Sequence, residues 1–332
     1  MRRFDFWVPA VAAAALCSGC GAGGDSTAVE AAVSIVSGAL NNTTGSAVGY
    51  APPRAPKSPL ERALDAVNPI GTAWAATWTC TGGTLAPAYS GPAANPYTYT
   101  PVSCSVEWAN GKSASSVWSS TFTLEYGASC DTTHAFILNQ VGGCTVTRTT
   151  GSAGNTRTLT GPDGASYAVT HDSHGAGTGW DSSVAPAPSN GGVVATCAAG
   201  GCSQGGTLVV SGSHLFGTVT TAAGRTSKLW DHTVSTVGSG LALATTGTNR
   251  VLNGAVLVQH NLAKFTSTAT FKDVTYAGGA CCFPTAGSVT SEVTAGAEKG
   301  RTESLTFGSV CGEATYTGPQ GKTTSLTLQH CI

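Results

Sequence analysis

Short segments in which apolar and polar residues alternate dominate the chain from Trp74 onwards. These segments are rich in Thr, Val, Trp and Tyr, and turns that contain glycine separate them. Because successive side chains of a strand point to opposite faces of a sheet, this pattern predicts strands with one buried face. No segment after Gly71 has the pattern of a helix of useful length. We therefore predict an all-β body built from antiparallel hairpins.

Three segments share one hairpin pattern. The clearest consists of the strand 158–160, the turn 161–164 with the sequence Gly-Pro-Asp-Gly, and the strand 165–170. Proline presets φ at the second turn position, and glycine tolerates a left-handed backbone. The pattern returns around the turn 318–321 and, more loosely, around the turn that ends at Gly224. No fixed period relates the copies, so they predict recurring hairpins and not a solenoid.

Changes in composition divide the chain into four predicted parts. Residues 1–20 form an export signal, and residues 21–72 form a flexible, proline-rich tether with short helices, one of them in the Ala- and Val-rich segment 26–40. A Gly-, Pro- and Asn-rich stretch then divides the body into two domains, 73–190 and 191–332. The spacing of the strands in both is typical of a β-sandwich or an antiparallel meander.

The N-terminus has the layout of a secretory signal. Two arginines precede an apolar stretch at 6–16, which is too short to span a membrane. The run Cys-Ser-Gly-Cys at 17–20 resembles a bacterial lipobox, in which the last cysteine is acylated and becomes the new N-terminus. This resemblance implies a lipid on Cys20, and Gly21 after it favours the outer membrane. Cleavage after Ala15, with both cysteines retained, is the alternative.

The cysteines also fit an exported protein. The chain has 12 cysteines, and removal of Cys17 with the signal and acylation of Cys20 leave an even number. Disulfides are the default in exported proteins, and the spacings do not resemble those of structural zinc sites. Local spacing favours the pairs Cys80–Cys104, Cys130–Cys144 and Cys197–Cys202, with Cys281 and Cys282 pairing to Cys311 and Cys331.

Charge is scarce along the whole chain. Only 10% of the residues are charged and the formal net charge is −1, whereas an average soluble protein has about 25% charged residues. A nucleic acid or an anionic membrane would require a basic face, so the composition excludes a nucleic-acid partner. We expect a surface rich in Thr, Ser and Gly, and contact with a membrane only through the N-terminal lipid.

The densest group of reactive side chains is the run His171-Asp172-Ser173-His174. Two imidazoles and a carboxylate can ligate a metal ion, although His171 and His174 would face opposite sides of a regular strand. The simpler interpretation is a polar strand end that leads into a glycine-rich loop, and we predict no bound metal or cofactor. The inverted pair Asp231-His232 predicts another polar turn or no role. Further ligands for a metal would come from Asp181, His214 or His232.

Aromatic residues crowd the first half of the body and allow two interpretations. An exposed platform of rings could stack against sugars, whereas large rings also supply most of the burial in a small disulfide-bonded sheet. The second interpretation is favoured. The residues of the possible binding face are Tyr97, Tyr99, Trp108 and Trp118.

The signal, the composition and the segments 281–285 (Cys-Cys-Phe-Pro-Thr) and 311–312 (Cys-Gly) resemble uncharacterised Thr- and Gly-rich, multi-cysteine lipoproteins of diderm bacteria. This resemblance implies anchoring and no particular activity. We predict an exported envelope or cell-surface lipoprotein that acts as a binding or structural module, with a glycan or an envelope protein as its partner. A periplasmic or secreted location is the alternative. The rival functions are a β-sandwich hydrolase of polysaccharide, for which no spacing selects a catalytic pair of carboxylates, and a periplasmic metal-binding protein.

Overall fold

Antiparallel strands make up nearly all of the regular structure. The computed structural model describes residues 29, 32–33, 36–37, 79–81, 97–99, 103–107, 113–118, 122–130, 143–151, 154–161, 164–172, 179–181, 192–246, 249–277 and 283–328. These residues contain nineteen strands, and every pairing between them is antiparallel. The prediction of an all-β body is confirmed.

The first ten strands are β1 (Thr79–Thr81), β2 (Tyr97–Tyr99), β3 (Ser103–Glu107), β4 (Ser113–Trp118), β5 (Phe122–Tyr126), β6 (Cys144–Thr150), β7 (Asn155–Thr160), β8 (Ser166–Asp172), β9 (Gly192–Ala198) and β10 (Gly201–Ser211). The remaining strands are β11 (Ser213–Thr220), β12 (Thr226–Thr236), β13 (Leu241–Thr246), β14 (Asn249–His260), β15 (Phe265–Tyr276), β16 (Ala286–Ala295), β17 (Thr302–Phe307), β18 (Glu313–Thr317) and β19 (Thr323–Thr327).

The three predicted hairpins are β7–β8, β11–β12 and β18–β19. In each turn a glycine with φ between +75° and +82° donates its N–H to the carbonyl oxygen three residues earlier, at 2.8 to 3.0 Å. Glycine adopts this backbone conformation without steric cost. The turn chemistry that the sequence indicates therefore closes all three hairpins. The glycines are Gly164, Gly224 and Gly321.

Strand pairing forms two ladders that meet at β14. The first ladder has the order β1, β3, β4, β7, β8, β11, β12, and the second has the order β2, β5, β6, β9, β10, β13. Residues 256–260 of β14 pair with β12, and residues 249–253 pair with β13. Both ladders thus end on the same edge of β14, and β15 to β19 continue from its other edge as a meander.

The two ladders enclose a common apolar core. Leu215 and Val234 of the first ladder and Val146 and Val210 of the second belong to one cluster of buried side chains. Along β6 the exposure alternates strictly between buried and half-buried residues, as expected for a strand, and the buried face contains Arg148 and Thr150 besides Cys144 and Val146. We call the face of each ladder that is turned toward this core its inner face.

The sheet is continuous across residue 190, where the sequence predicts a domain boundary. β9 pairs with β6, and β11 pairs with β8, so the strands on either side of the boundary share main-chain hydrogen bonds. Consecutive hairpins alternate between the two ladders. The N-terminal half of the body therefore contributes strands to the same sheets as the C-terminal half.

Part of the predicted tether lies in the core. Its five described residues are helical and have no exposed surface. Their spacing of three and four residues places them on one face of a helix, and the hydroxyls of Ser37 and Tyr276 lie 3.0 Å apart. These positions lie within the segment 26–40, for which the sequence predicts a helix, and their side chains are packed against the body. We call these residues the N-terminal helical face: Val29, Ala32, Val33, Val36 and Ser37.

One predicted disulfide is present. Cys130, in the turn after β5, is bonded to Cys144 at the start of β6. Cys197 and Cys311 are also disulfide-bonded, and Cys80 lies directly opposite Cys104 in the β1–β3 pairing. The remaining predicted pairings lie outside the described side chains, as do Cys20, Cys202, Cys281, Cys282 and Cys331.

Candidate functional site

The predicted polar group at the end of β8 faces two other histidine-bearing strands. Asp172 lies directly opposite His214 of β11, and the next row runs from His171 through Leu215 to His232 of β12. His214 and His232, which the sequence suggests as further ligands, are thus brought to the same part of the sheet. His174 lies outside the described residues.

Three buried histidines lie on the inner face of the first ladder and of the end of β14 that pairs with it. His171, His232 and His260 fall on one cross-strand row, because His232 lies directly opposite His260 of β14. All three belong to the buried polar residues of the protein. We call His171, His232 and His260 the histidine row.

His171 joins the two ladders. Its Nδ1 lies 2.8 Å from Nη1 of Arg148, a buried residue of β6 in the second ladder. Guanidinium is always a donor, so Nδ1 accepts and the ring is neutral with its proton on Nε2. Burial, followed by the charges of Arg148 and His214, lowers the pKa of His171 well below its usual value. Nε2 has no hydrogen-bond partner among the described residues.

The other two histidines pack edge to face. The ring centroids of His232 and His260 are 4.6 Å apart, and His260 stacks on Phe265 at 4.0 Å. Nε2 of His260 lies 3.2 Å from the hydroxyl of Ser267. Burial lowers the pKa of His232 to about 4 and that of His260 well below its usual value. The histidine row is therefore neutral at pH 7 and serves as part of the core.

A second polar group lies on the outer face of the same strands. Asp231 accepts hydrogen bonds at Oδ1 from Nδ2 of Asn261 at 2.8 Å and pairs with Nε2 of His214 at 2.6 Å, while its Oδ2 contacts the ammonium of Lys228. Burial acts to raise the pKa of Asp231, but the hydrogen bonds from His214, Lys228 and Asn261 hold it well below its usual value. We call His214, Lys228, Asp231 and Asn261 the Asp231 cluster.

A β-bulge brings Lys228 onto the face of Asp231. Residues three apart on a regular strand point to opposite faces. In β12, however, Lys228 lies opposite Thr218 and Trp230 lies opposite Gly217, which leaves Leu229 as an extra residue. The bulge restores Lys228 and Asp231 to one side of the sheet.

The segment 179–181 covers the outer face beside this cluster. The backbone N–H of Trp180 donates to Oδ1 of Asn261, and its indole N–H donates to the carbonyl of Phe265, both at 2.9 Å. The N–H of Asp181 donates to Oε1 of Gln259 at 3.1 Å. This cover explains why residues 231–235 of β12 are buried on both faces of the strand. Asn261 links the segment to Asp231, because its Oδ1 accepts from the backbone of Trp180 while its Nδ2 donates to Asp231.

The pair Asp231-His232 has a different role from the predicted one. It lies in the middle of β12 and not in a turn. Because neighbouring strand residues point to opposite faces, Asp231 enters the outer cluster and His232 enters the inner row. Lys228 and Asn261, the partners of Asp231, carry no local sequence signal, and neither does Arg148, the partner of His171. Within the part of the chain that the structure describes, no group of three or more His, Cys, Asp or Glu side chains is arranged to hold a metal ion.

The predicted aromatic residues do not share one strand. Tyr97 and Tyr99 belong to β2 in the second ladder, whereas Trp118 belongs to β4 in the first. Their side chains, and the whole of Trp108, lie outside the description. A binding face made of these four residues stays a prediction.

Comparison of the sequence with family models, with curated proteins and with solved structures gives no match. Among the described residues, no helix is both long and apolar enough to cross a membrane.

Proposed function

We propose that the protein is an exported, lipid-anchored envelope protein that acts as a binding or structural module. Disulfides support export, because they persist in oxidising compartments and are rare in the cytosol. Cys130 and Cys144 are bonded to each other, and Cys197 and Cys311 are also disulfide-bonded. The low content of charged residues suits a surface that contacts neutral partners such as glycans.

The reactive side chains of the candidate site are bonded to one another inside the protein, and this favours a binding or structural module over an enzyme. The histidine row is buried and neutral, and the carboxylate of Asp231 already has three side-chain partners. A general base must reach the proton that it removes from a substrate. Side chains bonded in this way stabilise the sheet and are not presented to a ligand.

The anchor is proposed to be a lipid on Cys20, with the body at the outer membrane or the cell surface. Expression in a diderm bacterium with a clickable fatty acid tests this directly. We expect the label on the full chain and on the Cys17→Ala variant, and its loss in Cys20→Ala. A Cys20→Ala protein that is still labelled would show that the lipid lies elsewhere or that the motif is not used.

A polysaccharide hydrolase is the second candidate, and the His214–Asp231 pair favours it. A carboxylate that orients an imidazole is part of many hydrolytic sites, and the side chain of His214 is 13% exposed. The full chain is incubated with insoluble envelope polysaccharide from a diderm bacterium. Retention on the polysaccharide without release of reducing sugars supports the module. Release that disappears in both His214→Ala and His214→Gln would establish the hydrolase.

A further inference from the structure

The N-terminal helical face follows the proposed lipid closely in the sequence. Only the eight residues 21–28 separate Cys20 from Val29, the first described residue of the N-terminal helical face. At most about 3.6 Å per residue, this stretch spans no more than about 29 Å. A flexible glycine-rich chain of this length has a mean span of about 16 Å.

This distance is short compared with the body. β14 and β15 have 12 residues each, which corresponds to about 40 Å at about 3.4 Å per residue. The linker between lipid and core is thus shorter than the longest strands of the sheet. A net charge of −1 provides no electrostatic attraction to an anionic bilayer, so the distance of the body from a membrane would depend on the chain between the lipid and the core.

The helical face is fixed within the body by packing and by a hydrogen bond. Val29, Ala32, Val33 and Val36 belong to the same apolar cluster as the strand residues of the core. Ser37 adds the hydroxyl contact to Tyr276, the last residue of β15. The ring of Tyr276 in turn lies 5.7 Å from the buried guanidinium of Arg250, near the start of β14.

We propose that the N-terminal helical face is a non-covalent anchor that fastens the lipid-bearing N-terminus to the β body and holds that body against the headgroup surface of the bilayer. This inference rests on the proposed lipid at Cys20. In this arrangement the spacer between the lipid and the body consists of the eight residues 21–28 and not of the 52 residues 21–72. The remainder of the segment before the first strand then connects a docked helix to the sheet and does not set the distance from the membrane.

Proteolytic cleavage before or after the helix distinguishes this arrangement from a free tether. A protease site inserted between Ala51 and Pro52 lies after the helix, and a site inserted between Gly24 and Asp25 lies before it. The lipidated full chain is reconstituted into vesicles of phosphatidylethanolamine and phosphatidylglycerol, cut, and sedimented. We expect the body to stay with the vesicles after the first cut and to be lost from them after the second. With a free tether, both cuts release the body.

A matched pair of variants tests whether the packed face is responsible. Val36→Asp places a charge in the apolar core and should release the body after the cut between Ala51 and Pro52, whereas Val36→Ala should retain most of it. The Cys130–Cys144 disulfide and a cooperative unfolding transition report whether each variant is folded. Release of the wild-type body by that cut, which requires no substitution, overturns the inference.

The fatty-acid label in the same preparation distinguishes the two failures. A labelled chain whose body is released after the cut refutes the docked anchor and leaves the lipid in place. An unlabelled chain refutes the lipid at Cys20, and with it the membrane role of the helix. Co-elution of the N-terminal fragment with the body in gel filtration after the cut reports docking without any membrane, and separate elution contradicts it.

Discussion

At the residue scale, two neighbours on one strand have opposite environments. Asp231 and His232 are adjacent in β12, yet one is ionised among donors on the outer face and the other is neutral in the core. The alternation of side chains along a strand separates them. The charge state of each residue thus follows from the face on which it lies.

Removal of the Asp231 carboxylate should destabilise the protein far more than removal of its exposed partner. Asp231→Ala leaves His214 and Asn261 without their shared acceptor in a buried setting, and we expect a loss of about 3 kcal/mol. Lys228 has a half-exposed side chain, so Lys228→Ala should cost less than about 1 kcal/mol. Urea unfolding at pH 7 measures both variants. Equal losses would mean that the cluster behaves as a surface ion pair.

The histidine row should make stability fall on mild acidification. The pKa of His232 is about 4 in the folded protein, below its usual 6.5, so the unfolded chain binds the proton first as the pH falls. The contribution of His232 to the free energy of unfolding is fully present above about pH 6.5 and is lost as the pH falls to about 4. Between pH 7.5 and 5 the loss from His232 alone is about 2 kcal/mol. His171 and His260 act in the same direction. The lowered pKa of Asp231 has its effect only at more acidic pH.

Urea midpoints between pH 7.5 and 5 test this dependence. In His232→Gln one titrating group is lost. The slope of the free energy of unfolding against pH should therefore decrease by the equivalent of up to about one bound proton. Asp231 and His214, whose charges act on His232, and His260, whose ring packs against it, are unchanged in the variant. Identical slopes in wild type and variant would show that His232 does not titrate differently in the two states.

At the element scale, a line of bulges lets β14 serve two ladders. The register of β14 against β15 shifts between Leu252 and Gly254, at the last residues that pair with β13 and before those that pair with β12. The register of β15 against β16 shifts at the same level, where Asp273 has φ of +51° and Gly287 has φ of +89°. Bulges bend a strand and increase its twist, so β14 can turn from one ladder to the other.

Gly287 should be intolerant of a side chain at this bend. A Cβ atom there would lie 2.3 Å from the carbonyl oxygen of Asp273, so β15 and β16 would have to separate. We expect Gly287→Ala to destabilise by about 3 kcal/mol, from backbone strain and this clash. Thermal unfolding measures the loss.

Gly164 provides the matched control. It has φ of +82° in the β7–β8 turn, and a Cβ atom there would meet nothing within 4 Å. Gly164→Ala should therefore cost only the conformational penalty of about 1 kcal/mol. If the two substitutions destabilise the protein equally, the close approach of the backbones at Gly287 does not contribute to the loss of stability.

At the scale of the whole molecule, the two ladders interleave the predicted halves of the body. β6 and β8 come from before residue 190, and their partners β9 and β11 come from after it. The hydrogen bond between Arg148 and His171 then joins one ladder to the other. Stability at this scale depends on contacts between segments far apart in the chain.

A protein cut near residue 190 should stay in one piece. With a protease site inserted between Ser189 and Asn190, the halves should co-elute in gel filtration after cleavage, because β6–β9 and β8–β11 pairing holds them together. The same sample should separate in urea, which excludes a disulfide between the halves as the cause. Two species without urea would support independent domains.

The strands and turns could be predicted from local sequence, and the candidate site only in part. The turn 161–164 closes as its sequence indicates, and in the first half of β6 the apolar Cys144 and Val146 are the buried residues. His171 and Asp172 were identifiable because they are adjacent. Arg148 and Asn261 were not, since their partners lie 23 and 30 residues away in the sequence.

By itself, the sequence determined the all-β class and the turns of the three recurring hairpins. These properties follow from alternation and turn chemistry, which act over a few residues. Only the tertiary structure decided which strands are neighbours, in which register they pair, and that the N-terminal helical face packs in the core. Main-chain hydrogen bonds are the same for every residue type, so pairing depends on how all the apolar faces are buried at once. That requirement places Asp231 beside His214, His171 beside Arg148, and Ser37 beside Tyr276.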